Sequence, residues 1–234
     1  MTDSIAVRGA KRAVVFDVDG TLMDCWAGDE LVRHDMWSRV PYPSGLLLLM
    51  RRAASFVRAG FQPSADVGVA VFKGLDQEAA EALASDCFYE RIRERLFDRA
   101  VAMVLDAQQD DATHVLLASG SSTVIVREIG KFLGVKDVVG TDPEQEGELY
   151  TGKPARPLCF GKGKLRRVTE HLDGKGISLE NTTFYTDSEI DLPLLEAVGD
   201  PVVVNPTPLL RITAKARGWK IEEWWFPSHS ETDA

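Results

Sequence analysis

The chain has 234 residues, of which 44% are hydrophobic and 27% charged, and its formal net charge is −9. That is ample apolar material for a core in one large domain or two modest ones. The acidic balance argues against nucleic acid or an anionic membrane as a partner, and leaves a small anionic substrate only if cations gather locally. The N-terminal MTDSIAVRGAKR has no apolar signal core, and the run Gly45–Met50 stops at Arg51-Arg52, far short of a bilayer span. Cys25, Cys87 and Cys159 are odd in number and lack metal-ligand spacing. They read as buried thiols in a reducing compartment, so the expected location is cytoplasmic.

In chain order, Ala13–Phe16 is a strand that runs into Asp17-Val-Asp19-Gly-Thr21. Residues 26–105 read as helical, with a turn at Pro41 and Pro43, an apolar helix over Gly45–Ala59, and a Gly- and Pro-punctuated connector from Ala59. From Leu75 to Gln109 apolar residues recur at helical spacing, with Asp76 as a candidate N-cap. From Thr113 the pattern alternates. THVLLASGSS is a buried strand centred on Val115–Leu117, TVIVREIGKFLG an amphipathic helix closed by Gly134, and KDVVGT a strand. DPEQEGELYTGK is a small hairpin, and KGKLRRVTEHLDG a helix. TTFYTDS, EIDLPLLEAVG, PVVVN and PTPLLRITAKARG follow as strand, helix, strand and helix. Trp224, Trp225 and Phe226 should pack on the body.

This alternation predicts an α/β fold: a doubly wound parallel sheet, with residues 1–24 and 106–234 as the core and residues 25–105 as an inserted all-helical cap domain. In such a sheet ligands bind beyond the carboxyl ends of the strands. Asp17 and Asp19 follow the first strand, Ser119 and Gly120 the second, and Asp187 and Asp191 a later one, while Lys162 and Lys164 open the helix before it. Converging carboxylates need a cation, and oxygen-only ligands suit Mg²⁺. A serine hydroxyl, a backbone N–H and an ammonium are donors for phosphate oxygens. The inventory points to phosphoryl transfer. A calcium loop is the competing reading of Asp17 and Asp19, but a strand precedes them where such a loop needs a helix. Arg51, Arg52, Arg91, Arg93 and Arg95 read as solvated helix faces and ion pairs. His34, His114, His171 and His229 share no spacing and receive no role, and Trp26 and Trp37 read as packing.

DVDGT, Ser119-Gly120, the lysines of GKGK and DSEID resemble, in this order, the four motifs of the haloacid dehalogenase superfamily, and within it the phosphoserine-phosphatase-like branch with a helical cap. The resemblance covers Ala13 to about Trp219. It implies a nucleophile at Asp17, an acid–base at Asp19, phosphate binding by Ser119, Gly120 and a lysine, Lys164 or alternatively Lys162, and Mg²⁺ held by Asp17, Asp19, Asp187 and Asp191. The implied activity is hydrolysis of a small phosphorylated metabolite, with transfer to an alcohol or a catalytically silent binding module as alternatives. Phosphoserine phosphatases of this kind carry a glutamate soon after the first motif; here the chain reads Cys25-Trp26-Ala27-Gly28, with Asp29 and Glu30 following. A monomer or a homodimer is expected.

Overall fold

A computed structural model of the chain describes residues 12–39 and 68–224. Six parallel strands form one sheet in the order β3-β2-β1-β6-β7-β8. They are β1 (Arg12–Phe16), β2 (Thr113–Ser122), β3 (Asp137–Thr141), β6 (Thr182–Thr186), β7 (Asp200–Val204) and β8 (Lys220–Glu222). An antiparallel hairpin, β4 (Pro143–Glu146) with β5 (Leu149–Pro154), stands apart. Between β1 and β2 come α1 (Ala27–Arg39), α2 (Gln77–Cys87) and α3 (Asp98–Gln108). The later helices are α4 (Thr123–Leu133), α5 (Lys162–Asp173), the single turn α6 (Leu192–Leu195) and α7 (Pro208–Arg217).

Side chains alternate across the sheet, and each set finds its own core. Phe16, Val115, Leu117, Tyr185, Val202 and Val204 pack with residues of α1 to α4. Ala13, Val15, Leu116, Ala118, Phe184 and Val203 pack with Val168 and Leu172 of α5, Leu194 and Leu195 of α6, and Leu210 and Ala214 of α7. A sheet buried on both faces must be covered by helices on both faces, which is the doubly wound arrangement. The chain passes from β1 leftwards to β2 and β3 and returns to β6 on the other side of β1. The crevice between β1 and β6 is therefore the topological switch point.

Several local expectations hold. Asp76 caps α2, its side chain accepting from Ala79 N at 2.8 Å. Gly134 closes α4 at φ 73°. All three cysteines are free and buried, and burial pushes each thiol up to about 12. Trp224 is buried and its ring meets Tyr185, whereas Trp225, Phe226, His229, the helix expected over Gly45–Ala59, and Arg51 and Arg52 lie outside the described residues.

Two local expectations are corrected. The helical pattern from Leu75 breaks after Cys87 into a π turn and a 3-10 turn, and Leu96 and Phe97 are extended. Tertiary pairing overrides the pattern there: Phe97 N donates to Leu22 O at 2.9 Å, Asp24 N to Arg95 O at 3.1 Å, and Met23 bridges Leu96. The strand expected over THVLLASGSS is found over its whole length, Thr113–Ser122, with its pairing to β3 shifted between Ala118 and Ser122. The helix after Asp187 shrinks to a 3-10 turn and α6. Strand β8 was not foreseen, and Asn205 N donates to its Glu222 O at 2.9 Å. Among the described residues no helix is long and apolar enough to cross a membrane.

Candidate active site

Strand β1 delivers Asp17 to the switch point, where its N–H donates to Tyr185 O of β6 at 2.9 Å. The chain then turns sharply at Gly20 (φ 79°). A Cβ there would lie 2.3 Å from Asp187 Oδ2, so only glycine lets the DVDGT turn approach the end of β6 this closely. Thr21 ties the two segments together, accepting from Asp187 N at 2.9 Å and donating to Asp187 Oδ1 at 3.0 Å. Its oxygen is also 3.5 Å from Asp17 Oδ2.

Lys164, in the first turn of α5, is 2% exposed. Its Nζ donates to Asp17 Oδ1 at 2.9 Å and to Asp191 Oδ2 at 2.6 Å. Thr186 Oγ1 donates to the same Asp191 oxygen at 2.9 Å. Burial alone would pull the Lys164 ammonium down, but Asp17 and Asp191 outweigh it and hold it above the usual lysine value. The sequence left the lysine open; in the fold Lys162 is exposed at the start of α5, while Lys164 is the one that reaches the carboxylates. Lys162 directly follows the N-cap Gly161 and is exposed, whereas Lys164, two residues on, is buried.

Asp19 sits in a cradle of donors. Ser119 Oγ and Ser121 Oγ donate to its Oδ2 at 2.6 and 2.8 Å, and Ala27 N at the start of α1 donates to its Oδ1 at 2.6 Å. Ser119 Oγ also accepts from Ser121 N at 2.9 Å. Ser121 is the residue that sequence reasoning missed; the SGSS run was the available signal. Gly120 lies between the two serines under the Phe160 ring, which a Cβ would meet at 2.2 Å.

The cavity above these groups holds about 590 Å³ including its open mouth. Trp26, Phe160 and Ile190 supply apolar wall, and Asp29, Ser121 and Ser188 polar wall. Glu30, by contrast, is 3% exposed and paired with Arg33, Arg91 and Arg95. Those pairs, with Arg95 on Asp24 and Arg93 on Glu94, engage Arg91, Arg93 and Arg95 as the ion pairs expected of them.

Four buried or half-buried carboxylates thus face one ammonium. Burial pushes Asp17 well above the usual carboxylate range, Lys164 opposes this, and Asp191, Asp187 and Asp19 add to it. Burial also raises Asp19, against the bonds from Ser119, Ala27 and Ser121. Asp187 is pushed up to about 7, by burial first, with Asp191 adding to the shift and Thr21 opposing it. Such a set of hard oxygens carrying surplus negative charge fits a hard divalent cation such as Mg²⁺.

Comparison with known proteins agrees with this geometry. Residues 14–196 match the model of the haloacid dehalogenase-like hydrolases. Phosphoserine phosphatase SerB1 of Mycobacterium tuberculosis is 28% identical over 221 residues, covering 91% of this chain and 70% of that protein. A Bordetella pertussis protein of unknown function superposes with a TM-score of 0.83 at 26% identity, over 92% of this chain and 100% of its own. A phosphoserine phosphatase solved as a phospho-aspartyl intermediate analogue superposes with a TM-score of 0.64 at 19% identity, over 93% and 95% of the two chains, a likeness of fold. The chain belongs to the haloacid dehalogenase-like hydrolase family.

Proposed function

We propose that the chain hydrolyses a small phosphomonoester through a covalent aspartyl-phosphate on Asp17, with Mg²⁺ as cofactor. The observation that carries this reading is the Lys164 bridge: one buried ammonium joins Asp17 to Asp191 at the floor of a cavity that ends at the switch point. Asp17, the backbone carbonyl of Asp19, and Asp187 would hold Mg²⁺, with Asp191 supporting it through water while it anchors Lys164. When bound, the ion neutralises phosphate charge so that a carboxylate can approach phosphorus.

In the first step an Asp17 carboxylate oxygen bonds to phosphorus and the bond to the leaving alcohol oxygen breaks. Asp19, whose carboxyl burial holds above the usual range, gives its proton to that oxygen. In the second step Asp19, now a carboxylate, takes a proton from water as the water oxygen bonds to phosphorus. The Asp17–phosphorus bond breaks, inorganic phosphate leaves, and both aspartates regain their starting forms. Ser119, Ser121 and the backbone around Gly120 exchange their present partners for phosphate oxygens. Lys164 stays with Asp17 and the transferring group and keeps their charges apart.

The leaving group would lie against Trp26, Phe160 and Ile190, within reach of Asp29. Trp26 occupies the stretch after the first motif where phosphoserine phosphatases of this kind carry a glutamate, and Glu30 is taken up by its arginines. We assign the substrate to phosphorylated metabolites with an apolar or aromatic portion beside the ester, with Asp29 as the acceptor for any amine or hydroxyl it carries. The test is p-nitrophenyl phosphate turnover with and without Mg²⁺ in the wild type and in Asp17→Asn. Turnover that needs the metal and vanishes in the variant supports the reading; release indifferent to both rejects it. A panel of phosphorylated amino acids, sugars and nucleotides then ranks substrates, and a wide preference for phosphoserine would reject the assignment of the leaving group.

A further inference from the structure

Strand β2 and helix α5 each have one end in the active site, Ser119 and Lys164. Their other ends meet as well. His114, at the start of β2, and His171, near the end of α5, stack their rings at 5.3 Å between centroids, 22° from parallel. Their Nε2 atoms face each other at 3.1 Å. Asp137, which opens the neighbouring edge strand β3, brings Oδ1 to 3.6 Å from His171 Nε2 and Oδ2 to 4.0 Å from His114 Nε2. One ligand atom from each of the three residues lies within 4.8 Å of the others, the one such cluster of three among the described residues. All three are partly buried, at 11%, 20% and 34% side-chain exposure for His114, His171 and Asp137.

We propose that His114, Asp137 and His171 form a second metal site, for a borderline divalent transition ion such as Zn²⁺, at the end of the sheet opposite the catalytic cavity. Ligands about 2.0–2.1 Å from a tetrahedral ion stand about 3.3 Å apart. The imidazole nitrogens are already close to that spacing, and the carboxylate, 3.6 Å from His171 and 4.0 Å from His114, needs to close by about 0.7 Å or more to set one oxygen against both. Two imidazoles and one carboxylate are the donors this class of ion takes, whereas the all-oxygen catalytic cluster suits Mg²⁺. Partial exposure leaves room for water at the remaining position. Lys175 Nζ, 3.3 Å from Asp137 Oδ2, is the competing cation. Its side chain is 43% exposed, so it can swing into solvent when the ion enters.

The site would act as a staple. His114 is about 16 Å of strand from Ser119, and His171 about 10 Å of helix from Lys164. An ion here pins α5 to β2 and β3 without touching substrate. It would fix the helix whose first turn presents Lys164.

The test is calorimetric titration with Zn²⁺ in excess Mg²⁺, on the wild type, Asp187→Asn, His171→Ala and His114→Gln, each checked for folding by circular dichroism. We expect one Zn²⁺ per chain in the wild type and in Asp187→Asn. Affinity should fall about a hundredfold or more in each histidine variant, since loss of even a supporting partner costs up to that much. Co²⁺ should give visible absorption bands that disappear in His171→Ala. No Zn²⁺ uptake beyond what Mg²⁺ displaces, or uptake unchanged in the histidine variants, would overturn the site and leave a hydrogen-bonded imidazole pair. If His114→Gln does not fold, His171→Ala decides by itself.

Discussion

Lys164 Nζ lies 2.6 Å from Asp191 Oδ2 and 2.9 Å from Asp17 Oδ1, so the lysine is held more tightly by the residue that does no chemistry than by the proposed nucleophile. Asp191 anchors the ammonium, and Thr186 in turn fixes Asp191. Lys164→Met leaves both buried carboxylates without their counter-charge. It should abolish turnover and destabilise the fold by roughly 3 kcal/mol at neutral pH, less in acid where Asp17, held well above the usual carboxylate range, protonates. Asp191→Asn should keep the fold and lower kcat by about ten- to a hundredfold. Urea unfolding at pH 7 and pH 5, with steady-state kinetics, checks both.

Gly20→Ala tests the contact between the DVDGT turn and Asp187. The new methyl would fall 2.3 Å from Asp187 Oδ2 and adopt φ 79°. Asp187 must move, so the Mg²⁺ concentration for half-maximal activity should rise about tenfold or more, with a stability loss of about 1 kcal/mol from backbone strain. Gly74→Ala is the control: φ is 75° there but nothing lies within 4 Å. It should show the strain and leave the Mg²⁺ requirement unchanged.

Ser121→Ala removes one of three donors to Asp19. Burial raises Asp19 and these donors restrain it, so losing one should raise it further. The alkaline limb of the kcat/KM profile, which reports the free enzyme in which Ser121 still bonds Asp19, should move to higher pH, and the lost phosphate donor should lower kcat about tenfold. A profile that keeps its position would show that Ser121 does not govern Asp19.

Metal-free stability should depend on pH in a direction unusual for carboxylates. Asp187 titrates near 7 in the fold, against 3.8 when unfolded, and Asp17 and Asp19 are shifted the same way. Between those values the folded chain binds more protons than the unfolded one, so stability is fully present below about 4 and is lost as pH rises through about 7. Melting temperature in EDTA should fall from pH 5 to pH 8. Added Mg²⁺ should raise it more at pH 8, where the ligands are ionised, than at pH 5. A metal-free chain that is more stable at pH 8 than at pH 5 would contradict these shifts.

The sheet and the carboxylates Asp17 and Asp187 are legible because each carboxylate directly follows a strand: Asp17 after Phe16, Asp187 after Thr186. Period-2 and period-3.6 patterns carried β1, β2, β6, β7, α4, α5 and α7. What was not legible depended on partners far along the chain. Leu96 and Phe97 look helical until Leu22 and Met23 pair with them. The GxGK spacing favours Lys164 with Lys162 as the alternative, and the helix starting after Gly161 leaves Lys162 exposed and Lys164 buried. Ser121 is one serine of a run until the fold sets it against Asp19. His114 and His171 share no spacing because they come from opposite ends of a strand and a helix.

The most direct test of the account is to trap the acyl phosphate. Enzyme turning over p-nitrophenyl phosphate with Mg²⁺ is quenched in acid, reduced with borohydride, digested and examined by mass spectrometry, since reduction of an aspartyl-phosphate leaves an alcohol side chain at the phosphorylated position. The account predicts that change at Asp17 alone, dependent on substrate and missing when substrate is omitted. Modification at another carboxylate, or none at Asp17 while turnover proceeds, would contradict it.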